Sequence, residues 1–86
     1  MRTITTDKGK TYLVEYAWAP LGNGSCGICL SDDPRMLSVI AAEFEGVENI
    51  HLVDPNVGEN DFPGYTVLQQ IGRTGKTVQM KLTKGV

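Results

Sequence analysis

Asp33-Pro34-Arg35-Met36-Leu37-Ser38-Val39-Ile40-Ala41-Ala42-Glu43-Phe44-Glu45-Gly46 is the stretch that decides the fold. Asp33 suits a helix cap, Pro34 the first helical position, and Gly46 a left-handed stop. Between them Leu37, Ile40, Ala41 and Phe44 recur at i, i+3, i+4 and i+7, which places them on one helical face. No other part of the chain carries this period. One amphipathic helix among short strands predicts a small α+β domain with the helix packed on a sheet.

Outward from the helix the pattern is alternation and turns. Residues 2–5 read as a first strand, followed by a turn at Asp7-Lys8-Gly9-Lys10. Residues 11–18 alternate, with Tyr12, Val14, Tyr16 and Trp18 on one face. The two runs predict a hairpin, and Pro20-Leu21-Gly22-Asn23-Gly24 reads as a loop. Residues 25–30 form a third strand, with Cys26, Ile28 and Leu30 on one face. After the helix, residues 49–53 give a fourth strand, with Ile50 and Leu52 inward and His51 on the opposite face.

Residues 54–64 carry two prolines, two glycines and the acids Asp54, Glu59 and Asp61, so they read as one long loop. Residues 65–72 and 77–83 are the last two strands, joined by the turn Arg73-Thr74-Gly75-Lys76. In the final strand Val78, Met80 and Leu82 face inward, and Thr77, Gln79, Lys81 and Thr83 face outward. The predicted order is β-β-β-α-β-β-β, an antiparallel and curled sheet with one helix across it.

At 86 residues the chain makes one domain, residues 1–86. A domain of this size buries roughly 60–65% of its unfolded surface, so a shared interface would help it, and a homo-oligomer is expected. The apolar fraction of 41% excludes a disordered chain. The net charge of −2 argues against binding extended nucleic acid, which needs a concentrated basic face. The sequence shows no signal-peptide core and no run that spans a membrane, so a cytoplasmic protein is expected.

The chemical motifs are sparse. Cys26-Gly27-Ile28-Cys29 is a CxxC, but it lies in a predicted strand, away from a helix N-terminus. A strand sends Cys26 and Cys29 to opposite faces, which opposes both a disulfide and chelation. Two cysteines and one histidine fall short of a structural zinc set, so no metal or cofactor is expected. His51 is the lone histidine, and its strand neighbours are apolar. No nucleophile, base and orienter assemble from this inventory, so the chain reads as a non-enzyme.

The remaining candidates are binding residues. Tyr12, Tyr16 and Trp18 form either core or a platform for a base or a partner. Arg73 and Lys76 can present cations to a phosphate from their turn, and Arg35 can do so near the helix start.

Several stretches read together bring a resemblance. They are Ile4-Thr5-Thr6-Asp7-Lys8-Gly9-Lys10-Thr11-Tyr12, Ala17-Trp18-Ala19-Pro20, Ile40-Ala41-Ala42-Glu43-Phe44-Glu45, Gly64-Tyr65-Thr66 and Thr77-Val78-Gln79-Met80-Lys81-Leu82. The chain resembles small uncharacterised proteins encoded in prophages and mobile elements of Firmicutes. The resemblance implies a phage context, with the host cytoplasm as the site of action, and brings no catalytic or binding residues.

Small acidic phage proteins of this kind often act by binding. The leading expectation is a counter-defence protein: a sponge that sequesters a nucleotide or cyclic-nucleotide immune signal. Its ligand residues would be Trp18, Tyr16, Arg73 and Lys76, then Arg35 and His51. A blocker of a host defence protein would instead use the acidic segment from Asp54 to Asp61 as a charged patch. The alternative is a virion or tail-associated accessory protein.

Overall fold

The computed structural model describes residues 1–18 and 24–85, with Trp18 described through its backbone. The elements are β1 (Arg2–Thr6), β2 (Thr11–Trp18), β3 (Ser25–Leu30), α1 (Leu37–Phe44), β4 (Asn49–Asp54), β5 (Gly58–Pro63), β6 (Val67–Thr74) and β7 (Thr77–Thr83). The strands form one antiparallel sheet in the order β5-β4-β1-β2-β3-β7-β6. The α+β class holds. The loop expected at 20–24 lies, up to Asn23, outside the described residues.

This order forces the sheet to curl. β5 and β6 stand at opposite ends of it, yet only residues 64–66 connect them. Laid flat, seven strands would separate their edges by roughly 29 Å. The connector reaches about 14 Å when fully extended. The sheet must therefore bend until its edges approach, and the molecule measures 30 × 30 × 23 Å. The connector is also pinned: Gly64 N–H donates to the Glu48 carbonyl at 2.9 Å, and Gly85 N–H donates to Gly64 at 3.0 Å.

Helix α1 lies against β6 and fills the concave side. Ile40 and Phe44 are fully buried, and Leu37 and Ala41 are half-buried, as the periodicity predicted. Phe44 packs on Tyr12 with ring centroids 4.9 Å apart. Gly46 takes φ +72°, the expected left-handed stop.

The helix start differs from expectation. It begins at Leu37, with Met36 as an N-cap that makes no side-chain hydrogen bond. Asp33 is already committed: its carboxylate accepts from the Arg35 amide at 3.1 Å and from the Arg35 guanidinium at 3.0 and 2.8 Å. That local turn competes with helix and holds 33–35 outside it.

A second correction concerns residues 54–64, expected to form one loop. Asp54 ends β4, residues 55–57 turn, and Gly58–Pro63 is a seventh strand paired along β4 from Asn49↔Pro63 to Asp54↔Gly58. The observed order is thus β-β-β-α-β-β-β-β. The strand escaped the sequence because it lies at a sheet edge and is exposed, with only Phe62 and Gly64 nearby half-buried. An edge strand without an inward apolar row has no alternation to read. Its Pro63 and its acids suit an edge, where missing donors and charge discourage further pairing.

The third correction is in β2. Tyr12 and Val14 are core, but Tyr16 is 43% exposed. The pairing with β3 shifts from Val14↔Leu30 to Tyr16↔Cys29, so Glu15 is an extra residue. This β-bulge inverts the alternation beyond it. Ala17, not Tyr16, then packs against the core. Cys26 sits in the core, Cys29 sits across the strand from it, and both thiols are free. Among the described residues no helix is long and apolar enough to cross a membrane.

Candidate ligand-binding face

The bulge and the strand order assemble a face on the convex side of the sheet. One register row runs Tyr16, Cys29, Gln79, Gly72, and the next runs Trp18, Gly27, Lys81, Gln70. The intervening row, Ala17, Ile28, Met80 and Ile71, turns toward the core. Gln70, Gln79 and Lys81 are exposed. Gly72 adds no side chain, so it leaves a low point beside Gln79.

The result is a groove of about 620 Å³ between the edge of β6 and the outward side chains of β7. Gln70, Gly72, Gln79 and Lys81 line it. A second irregularity, between Leu68 and Gln70 in β6, places Gln69 and Gln70 together on this surface.

Tyr16 bounds the face on the β2 side. Its phenol interacts with Cys29, and Gln79 Nε2 approaches its Oη at 3.5 Å. That interaction with Cys29 holds the Tyr16 phenol above its ordinary pKa. Cys29 is nearly fully buried although it faces outward, and burial raises its thiol pKa. Cys26 is pushed up to about 11 by burial. Neither thiol has the depressed pKa of a reactive cysteine. Chemically the described face offers an aromatic ring, three primary amides that both donate and accept, and one lysine ammonium.

The other expected cations gather elsewhere, around residues 32–35. Arg35 lies between Asp33 and Glu43, with ion-pair distances of 2.8 Å to each. Tyr12 Oη donates to Glu43 Oε1 at 2.7 Å, and the Arg35 guanidinium lies 5.7 Å from the Tyr12 ring centroid. The hydrogen bonds from Arg35 hold Asp33 below the usual carboxylate range. Burial opposes ionisation of Glu43, but bonds from Tyr12 and Arg35 outweigh it and lower its pKa.

Arg73 donates to the backbone carbonyls of Asp33 and Arg35. Lys76 is exposed, 3.9 Å from Asp32, and its carbonyl accepts from the Asp33 amide at 3.0 Å. Arg35, Arg73 and Lys76 thus do converge. Arg73 ties the segment before the helix to β6, Arg35 ties it to Glu43 of α1, and the charge of both is directed at protein groups.

His51 lies on the outer side of β4, four strands from β7 in the sheet order. It shares a register row with Thr5 and Thr11, at the other end of β2 from Tyr16, so Tyr16 and His51 are not brought together. Trp18 pairs through its backbone with Gly27, in the row of Lys81 and Gln70. Its side chain lies outside the described residues.

Gln70, Gln79 and Lys81 were not singled out as ligand residues by the sequence. The outward phase of Gln79 and Lys81 was readable from the alternation of β7. Their place beside Tyr16 depends on β3 lying between β2 and β7, a fact of strand order that no local pattern carries. No family model, no curated protein and no solved structure matches the chain.

Proposed function

We propose that the chain is a non-enzymatic binding protein of phage origin that acts in counter-defence by sequestering a nucleotide immune signal on the convex face of its sheet. The observation that supports this reading is the groove beside Tyr16, where an aromatic ring, the amides of Gln70 and Gln79 and the ammonium of Lys81 share one surface. A planar base suits the ring and the amides, and a phosphate suits the lysine. The bare Gly72 leaves room for a flat group to approach the sheet.

The role of phosphate partner passes from Arg73 and Lys76 to Lys81, because Arg73 is engaged by backbone carbonyls. The test is isothermal titration of the purified protein with a panel of linear and cyclic nucleotides, comparing wild type with Tyr16→Ala, Lys81→Ala and Gln79→Ala. Lys81→Ala and Tyr16→Ala should each weaken binding about tenfold or more, in line with a lost phosphate contact or stacking surface. Equal affinity in all variants, or no binding by the wild type to any member of the panel, would defeat the reading.

One observation favours a second reading. Glu59 and Asp61 project from the edge strand β5 with side chains 67% and 58% exposed. This acidic edge suits a basic surface on a host defence protein. Glu59→Lys combined with Asp61→Lys should abolish counter-defence under the blocker reading and spare it under the sponge reading. A phage-protection assay in the host decides between them.

A further inference from the structure

His51 occupies an unusual position for a half-buried sheet residue. Its Nε2 lies 2.7 Å from Glu59 Oε1, and its Nδ1 lies 2.9 Å from Asp61 Oδ1. Both ring nitrogens therefore face carboxylate oxygens. A neutral imidazole carries one N–H, so one of these contacts would set a nitrogen lone pair against an anionic oxygen. Only the imidazolium satisfies both.

The geometry also fixes what the ring connects. His51 is on β4, and both carboxylates are on β5, the strand that ends the sheet on this side. His51 pairs directly opposite Asp61, and Glu59 lies two residues further along β5. Asn49 Nδ2 donates to the same Asp61 oxygen at 2.9 Å and fixes that carboxylate. On the other side, β1 presents Thr5 opposite His51, and Thr5 is uncharged. The charged groups facing the ring are thus Glu59 and Asp61, both from β5, and no described cation competes for them.

We infer that His51 is a proton-operated clamp that holds the edge strand β5 onto β4, closed when the ring is an imidazolium and loosened when it is neutral. The ring's two carboxylate partners change from attraction to a mixture of one hydrogen bond and one repulsion across this step. Among the described residues no strand pairs with the far side of β5, so the clamp acts at the edge of the sheet. The same proton sets the charge of the acidic edge. The cluster of His51, Glu59 and Asp61 carries one net negative charge when the ring is protonated and two when it is not.

The direction of the pH dependence follows. Hydrogen bonds to Asp61 first, and then to Glu59, raise the His51 pKa above the ordinary imidazole value. A raised pKa makes the contribution full below the ordinary value and removes it as pH rises through the folded one. Asp61 is held below the usual carboxylate range, by Asn49 first and then by His51, so it stays ionised throughout that window. β5 should therefore loosen toward alkaline pH, not toward acid.

The test uses the intact chain. The His51 ring is titrated by NMR, and amide exchange in β5 is measured between about pH 5.5 and pH 8.5, the span in which an imidazole changes charge. After correction for intrinsic exchange, protection at β5 should fall about two- to fivefold across the His51 titration, the scale of exposed ion pairs. β3 and β7 should not change. Glu59→Gln and Asp61→Asn should each lower the His51 pKa, and His51→Gln should abolish the pH dependence while keeping the fold. A ring that titrates at or below the ordinary imidazole value would overturn the clamp. So would β5 protection that is flat with pH, or a pH dependence that persists in His51→Gln.

Discussion

Arg73 illustrates how a residue's role depends on what it reaches. From the turn Arg73-Thr74-Gly75-Lys76 it reads as a cation offered to a phosphate. In the fold it reaches back to the carbonyls of Asp33 and Arg35, at the point where the chain leaves β3 and prepares to enter α1. Carbonyls outside a helix need donors, and a guanidinium supplies two in a fixed fork. Arg73→Ala should lower stability by about 1.5–3 kcal/mol, the range for hydrogen bonds to a charged group. Urea unfolding checks this, with the midpoint shifting and the slope unchanged. Arg73→Lys should recover only part of the loss, because an ammonium cannot match the fork. The sequence carried the charge and the turn at this position but not the partner, which lies about forty residues away along the chain in backbone atoms. Tyr16 has the same lesson in another form. Its inward phase followed from strict alternation, and a single extra residue at Glu15 reversed it.

At the scale of elements, α1 is short and weakly started. Its eight residues are held by Ile40 and Phe44 in the core, while the cap position is an exposed Met36 with extended φ −60°, ψ 140°. That conformation already suits a serine cap, and Met36 is 71% exposed, so little packing is lost by replacing it. Met36→Ser should stabilise the protein by about 0.5–1 kcal/mol by giving the first-turn amides a side-chain acceptor. Thermal unfolding would register this as a modest rise in Tm. The helix itself was legible because its buried face repeats at helical spacing and Gly46 marks its end. Its first turn was not, since Asp33 has two local uses and the sequence does not say which one wins. β5 was illegible for a different reason. It faces solvent on nearly every residue and is defined by its pairing with β4, so nothing in its own composition separates it from a polar loop. The elements that were read well are those with a core to face, above all β7, whose alternation survives intact in the structure.

For the whole molecule the decisive fact is the short link between two edges at opposite ends of a seven-stranded sheet. A connector of residues 64–66 imposes a curl, and the curl leaves a concave side filled by α1 and a convex side that faces away from the core. The convex face could not be assembled from the sequence, because it joins β2 to β6 through β3 and β7 and so requires the full strand order. The strand phases supplied the outward residues, and only the order made them neighbours. The proposed function puts ligand binding on the convex groove, whereas Arg35 and Arg73 are engaged by protein groups around residues 33–35. The most direct test is an NMR titration of the isotope-labelled protein with the nucleotide panel, mapping shifts onto the backbone. Saturable changes centred on Gln70, Gly72, Gln79 and Lys81, with the amides of 32–35 unmoved, are the predicted result. Saturable changes centred on 32–35 and Lys76, or no changes with any nucleotide, would contradict it.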